Sequence, residues 1–223
     1  MKFETWEPIY NDILDEFGFL KKDDELARDI LVKMNPKMRI GNLKKFRNSK
    51  VAIAGGASCI ENELDIFENV DYTVAVSTAA DILLREGIRI DMMVTDLDKN
   101  PDTTKMLNDL KIPIAVAGHG DNIEELKKWV PRLDLNYVIG TTQVEPMNNI
   151  VNYGGFTDGD RAAFIVDFLG AKEILFAGWD FDDNSVSKKK KKKLKWAEYL
   201  LRWLEISRGQ KFTILDNRRD NGL

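Results

Sequence analysis

Apolar residues recur at helical spacing near the start of the chain, then gather into short continuous runs from about residue 50 onward. Over residues 4–17, Trp6, Ile9, Tyr10, Ile13, Leu14 and Phe17 fall on one side of a helix, with acids on the other. Gly18 ends that helix. A second is predicted from about Asp24 to Met34, burying Leu26, Ile30 and Leu31, before Pro36 and Gly41 break the pattern. Residues 1–45 therefore read as a helical prefix, packed on the rest of the chain or on a partner and without obvious chemistry. Residues 46–223 form the main domain.

From Lys50 the pattern alternates between strand and helix. Strands are predicted at Val51–Ala54, Tyr72–Val76, Met92–Thr95, Ile112–Ala117, Tyr137–Ile139, Ile174–Ala177 and Phe212–Leu215, with a brief one at Ile150–Tyr153. Between them lie a helix burying Ile60, Leu64 and Phe67, opened by a Ser58/Glu61 capping box, and helices at Ala79–Glu86, Pro101–Leu110, Ile123–Val130, Asp160–Leu169 and Leu194–Ile206. Strands separated by helices imply parallel pairing with right-handed crossovers. The runs are apolar throughout, as strands are when both sheet faces are covered. The expected class is α/β: an open, mostly parallel, Rossmann-like sheet with helices on both faces.

Composition narrows the function. One cysteine and one histidine exclude a disulfide framework and a Cys/His zinc site. A formal net charge of −4 argues against broad nucleic-acid binding. No signal peptide and no run long enough to span a bilayer are visible, so a soluble cytoplasmic protein with small-molecule partners and no membrane or nucleic-acid partner is expected. A homodimer is left open.

Polar clusters follow almost every strand, at the edge where open parallel sheets bind ligands. Met92 to Val94 run apolar into Thr95-Asp96-Leu97-Asp98, and in extended backbone the two acids would share a face. Such a pair suits Mg²⁺, which is held by one or two carboxylates plus water and substrate phosphate. The alternative is a solvated turn with Asp98 or Asn100 capping the next helix. Gly55 and Gly56, with Ser58 beyond them, offer free N–H groups at a helix start, which favours phosphate, or else form a plain tight turn. Thr78 follows the next strand. His119, the only histidine, precedes Asp121 and Asn122; its strand-end place favours a phosphate or a metal-bound group, with Asp121 as a third carboxylate or a helix cap. Gly154, Gly155, Asp158, Asp160 and Arg161 lie in a glycine-rich loop before a helix. There Arg161 either clamps a phosphate bidentately or pairs with its acidic neighbours. Lys188–Lys193 is either a solvated, partly disordered face or a segment folded over the site to stabilise polyphosphate.

The ordered set Gly55-Gly56, Val94-Thr95-Asp96-Leu97-Asp98, His119-Gly120-Asp121-Asn122, Gly140-Thr141-Thr142-Gln143, Gly154 to Ala162 and Gly178-Trp179-Asp180-Phe181 resembles the archaeal-type 6-hydroxymethyl-7,8-dihydropterin pyrophosphokinases of tetrahydromethanopterin biosynthesis. The resemblance covers roughly residues 50–215 and extends to thiamin pyrophosphokinases. This chain departs from the pattern at Ser77-Thr78-Ala79-Ala80, at Ala117 and at Ile90. The resemblance implies transfer of pyrophosphate from ATP to a pterin alcohol with release of AMP. It further implies Mg²⁺ on Asp96 and Asp98 with Asp121 assisting, and Arg161 and the lysines stabilising the transferring group. Phosphate or ribose would lie near Gly55-Gly56 or Gly154-Gly155, Asp158 or Asp160 would accept the hydroxyl proton, and Phe156 would stack on the pterin. Thiamin as acceptor, a glycosyltransferase-like protein taking a nucleotide-sugar, and a non-catalytic nucleotide-binding module remain as alternatives.

Overall fold

Six parallel strands in the order β5-β4-β3-β2-β1-β6 form the centre of the protein. The computed structural model describes residues 1–218. The strands are β1 (Lys50–Ala54), β2 (Tyr72–Val76), β3 (Met92–Thr95), β4 (Ile114–Gly118), β5 (Val138–Thr142) and β6 (Glu173–Ala177). Those with neighbours on both sides are buried nearly throughout, which is why they read as unbroken apolar runs.

The strand order dictates which face each helix covers. Successive crossovers from β1 to β5 step in one direction, so their right-handedness puts α3 (Ala79–Arg85), α4 (Pro101–Asp109) and α5 (Ile123–Trp129) on one face. The β5-to-β6 connection steps the other way and carries α6 (Asp158–Phe168) across the opposite face, where Ala162, Phe164 and Val166 pack with Ile53, Val74 and Val94. α7 (Lys188–Arg208) joins that layer through Leu200, Leu201 and Leu204. The prefix contributes to both layers. α1 (Phe3–Phe17) buries Trp6, Tyr10, Ile13 and Leu14 in the α6 layer, and α2 (Lys21–Met34) buries Ala27 and Leu31 in the other.

Several elements differ from expectation. The segment after β1 is two short 3-10 turns, Ser58–Asn62 and Leu64–Asn69, and the first has no side-chain cap, so Ser58 and Glu61 form no capping box. Phe212 to Leu215 is not a strand: 3-10 structure begins at Thr213, because Phe212 and Leu215 bury their side chains against the α6–α7 layer instead of pairing with β6. Ile150–Tyr153 gives only isolated bridges. On α2 the buried face is Asp24, Ala27, Arg28 and Leu31, while Leu26 stays 50% exposed. The polar members turn inward because they have partners: Tyr10 donates to Asp24, and Arg28 to the Glu145 carbonyl. The lysine run is ordered as the first turns of α7, whose Ser187 cap accepts from the Lys190 N–H.

Trp6 ties the prefix to the sheet edge, fully buried and donating through Nε1 to the Gln143 carbonyl at 2.7 Å. Trp6→Ala should therefore cost about 3–5 kcal/mol of unfolding free energy, as large-to-small aromatic changes in cores do. Urea titration followed by circular dichroism measures it, and a loss under 1 kcal/mol would show that the prefix is only loosely attached.

Candidate active site

At the C-terminal edge of the sheet, β1 and β6 end side by side although their connections leave to opposite faces. In doubly wound sheets this is where a crevice opens. The Gly55 N–H donates to the Ala177 carbonyl at 2.8 Å. A Cβ on Gly55 would lie 2.4 Å from the Gly178 carbonyl oxygen, and one on Gly178, whose φ is +74°, 2.2 Å from the Gly55 oxygen. These glycines are needed first for the close approach of two chain segments. A cavity of about 410 Å³ opens above them.

Asp96, Asp98 and Asp158 all reach this cavity. The first two do not converge by strand alternation, because β3 ends at Thr95 and Leu97 takes φ +68°. That left-handed turn is unusual for a bulky residue. It is held by the buried Leu97 side chain and by the Leu97 N–H donating to Thr95 Oγ1 at 3.0 Å. The Asp98 N–H then donates to Asp96 Oδ1, and the Asp96 N–H to Asp158 Oδ2, each at 3.2 Å. Asn100 is the residue before α4 but makes no side-chain cap; its amide donates to the Ser77 carbonyl and to Asp81.

His119 and Asn122 hold this turn in place. Asn122 is buried, donates to the carbonyls of Asp96 and Ala117 at 2.7 Å each, and accepts from the His119 N–H. His119 Nε2 lies 3.5 Å from Asp96 Oδ2. Asn122 is thus a positioning residue, and no wall of the cavity.

The three carboxylates disturb one another. Burial, and then the Asp96 charge, push Asp158 up to about 7. Burial and the contact with Asp96 push Asp98 up to about 6. Asp96 feels the same burial, but hydrogen bonds with His119 and Asp98 outweigh it and hold its carboxyl below the usual range. Crowded carboxylates with raised pKa values are the expected signature of a place suited to a cation. Among the described residues no three His, Cys, Asp or Glu side chains are grouped to hold an ion alone. The donor set fits Mg²⁺ that takes its remaining ligands from water and phosphate.

Positive charge borders the same space. Lys99, Lys190 and Lys193 line the cavity, the last two from the first turns of α7. Crowding by the surrounding protein, then by Lys99 and Lys193, holds the Lys190 ammonium below its ordinary pKa, although its side chain stays open to solvent. The lysine run thus borders the cavity.

Other expected residues fall elsewhere. Gly56 and Thr78 line the cavity, whereas Ser58 is exposed beyond it. Gly154 and Gly155 sit behind it at φ +95° and +96°, where a Cβ on Gly155 would strike the Arg161 backbone at 2.4 Å. They allow the loop to fold onto α6. Asp121 ion-pairs with Lys189 at 3.2 Å and is not a wall of the main cavity. Asp160 is fully buried and accepts from the backbone N–H groups of Phe156 and Thr157 and from the Thr157 hydroxyl, closing a capping box. With its carboxylate engaged in this way it serves the start of α6 and is poorly placed to accept a substrate proton. Arg161 is 2% exposed, donates to the Thr142 carbonyl, and lies beneath the acids it partly balances, not at the surface as a phosphate clamp.

Lys99, Trp179, Gln143 and Asp24 were given no individual role from sequence, although Gln143 and Trp179 stand within the strand-end motifs. Trp179 covers Gly159 of α6, where a Cβ would meet its ring at 2.6 Å. Asp24 reaches the site from the prefix and accepts from the Gly120 N–H at 2.6 Å. Nothing local in an acidic helix start distinguishes it from Asp23.

The sequence matches known proteins over most of its length. The profile described as 6-hydroxymethylpterin diphosphokinase MptE-like matches residues 30–185. A Pyrococcus furiosus protein named 6-hydroxymethyl-7,8-dihydropterin pyrophosphokinase is 36% identical, over 92% of this chain and 95% of its own. Proteins of the same name from Methanothermobacter thermautotrophicus and Methanocaldococcus jannaschii are 31% and 34% identical, over 92% and 81% of this chain and 96% and 80% of their own. With most of its length matched, and its strand-end acids, histidine and glycines in the expected order, the chain belongs to the MptE-like 6-hydroxymethylpterin diphosphokinase family.

Proposed function

We propose that this chain transfers the β,γ-pyrophosphoryl group of ATP to 6-hydroxymethyl-7,8-dihydropterin, releasing AMP, as a step in tetrahydromethanopterin-type pterin biosynthesis. One observation carries the reading: Asp96, Asp98 and Asp158 share a single sheet-edge cavity with Lys99, Lys190 and Lys193. Acids for a divalent cation and free ammonium groups for phosphate oxygens are what a polyphosphate needs at once.

In the reaction the hydroxymethyl oxygen attacks the β-phosphorus. The bond from that phosphorus to the oxygen bridging to the α-phosphorus breaks, AMP leaves with the bridging oxygen, and the hydroxyl proton passes to a base. Little covalent chemistry falls to side chains, so catalysis is positioning and charge neutralisation. Asp96 and Asp98 would hold Mg²⁺, which when bound neutralises the triphosphate. His119 steadies Asp96. Lys99, Lys190 and Lys193 meet phosphate oxygens, and Asp158 takes the hydroxyl proton. Asp160 fixes the helix start that carries Asp158, and Arg161 offsets the charge beneath it. The helical prefix, residues 1–45, and the catalytic segment, residues 46–223, serve one site, since Asp24 of the former braces Gly120 of the latter.

Purified protein given ATP, MgCl₂ and the pterin alcohol should form AMP, followed by ion-exchange chromatography, and excess EDTA should abolish it. Asp96→Asn and Asp98→Asn should each lower kcat about 100-fold or more, the scale of losing one preorganised charge-stabilising group, with circular dichroism unchanged. Near-full turnover of either variant at saturating Mg²⁺ would remove that residue from the metal's ligands. Lys190→Ala should raise the KM for ATP and leave that for the pterin unchanged; an unaltered ATP KM would place the triphosphate away from α7.

A further inference from the structure

Beside the main cavity lies a smaller one of about 180 Å³, with Phe19, Asp23, Asp24, His119, Gln143 and Phe156 in its walls. It sits between the α1–α2 corner and the ends of β4 and β5. The two cavities share His119, Phe156 and Lys193, so a molecule filling the smaller one has one end beside the Asp96 carboxylate.

Its chemistry differs from that of its neighbour. Phe19 and Phe156 provide aromatic surface, their centroids 6.5 Å apart, and Phe17 packs 5.2 Å and 5.3 Å from them. The polar wall offers acceptors. Gln143 is 5% exposed, its Nε2 faces Asp24 Oδ2 at 3.4 Å, and its Oε1 is buried with no hydrogen-bond partner. Asp24 already accepts from the Tyr10 hydroxyl and the Gly120 N–H, so Gln143 turns its amide N–H toward it, and an acceptor is what remains over. Buried acceptors are ordinarily paired. Asp23 lines the same cavity, half-buried, with a carboxylate that has no hydrogen bond or ion pair among the described residues.

We infer that the smaller cavity holds the ring of the acceptor: a flat aminopyrimidinone heterocycle with its face on Phe19 and Phe156. Its edge of adjacent ring N–H and exocyclic amino donors meets Gln143 Oε1 and Asp23. This rests on the pyrophosphokinase reading above and adds the residues that choose the acceptor. Donor-edge rings suit the Gln143 and Asp23 oxygens of this wall, and rings whose edge offers only lone pairs do not. The smaller cavity has Lys193 alone beside Asp23, Asp24 and Asp121, whereas three lysines border the larger one, which leaves the triphosphate to the larger cavity. The hydroxymethyl arm then lies at His119, where the two spaces join.

Steady-state kinetics with both substrates, paired with equilibrium binding of the pterin alcohol alone by its fluorescence, tests this placement. Phe19→Ala and Gln143→Leu should each raise the pterin KM and Kd about tenfold, the scale of losing one ring-stacking aromatic, and leave the ATP KM unchanged. Phe19 is half-buried but stacks on Phe17, so each variant's unfolding midpoint is measured beside its kinetics. Asp23→Ala, which removes a carboxylate without partners among the described residues, should raise the pterin Kd with the wild-type midpoint kept. If AMP forms but none of these variants moves the pterin KM or Kd, or if Trp179→Ala in the larger cavity moves them instead, the placement is overturned. If wild-type protein forms no AMP, the pyrophosphokinase reading fails separately. The cavity is then judged by Kd alone: saturable pterin binding weakened by Phe19→Ala supports it, and absence of saturable binding overturns it.

Discussion

All six strands run the same way, so all six end at one edge, and everything of chemical interest here depends on that constraint. Parallel pairing forbids tight hairpins and forces each connection back over a sheet face. The polar turns that would interrupt a buried strand are thereby collected at a single rim. The return of β6 to the side of β1 reverses the direction of winding, and the Gly55–Gly178 backbone contact marks where it reverses. That return carries α6 and α7 across the face opposite α3, α4 and α5, and so brings Asp158 and the lysines to the cavity that holds Asp96.

The rim holds charges that are poorly matched with one another inside the protein. Asp96, Asp98 and Asp158 crowd together, and His119 reaches only Asp96 closely enough for a direct contact. Arg161 lies beneath, with Nε and one terminal nitrogen buried without partners. Lys99, Lys190 and Lys193 border the cavity without being ion-paired to those acids. A structure optimised for stability alone would pair or discard such groups. Their persistence at one cavity is the physical content of the proposal that a metal and a polyphosphate complete them.

The helical prefix has two roles that its amphipathic pattern does not separate. Trp6, Tyr10 and Ile13 are ordinary core residues. The α1–α2 corner and Asp24 instead shape the smaller cavity and brace the turn at Gly120. Tyr10 belongs to both roles, buried in the core while its hydroxyl donates to Asp24 at 2.5 Å. The segment that looked chemically bare supplies part of a wall beside the only histidine.

The alternation of apolar runs with amphipathic helices was enough to fix class, strand positions and the rim, because buried parallel strands must be apolar and their ends must be polar. The likeness in ordered motifs further assigned the family. Short-range reasoning failed where long-range contact decides. Phe212 to Leu215 has strand composition but packs on a helix layer, and Ser58 has capping spacing but no helix to cap. Asp96 and Asp98 converge through the strained turn at Leu97, not through strand alternation. Asp121 and Asp160 look like site acids in sequence. In the structure Asp121 pairs with Lys189 beside the smaller cavity and Asp160 engages a helix start, because a carboxylate's surroundings depend on which donors reach it. Gln143, Asp24 and the three lysines acquire their places only when distant parts of the chain meet. No local pattern encodes such meetings, which depend on the direction in which the chain winds across its sheet.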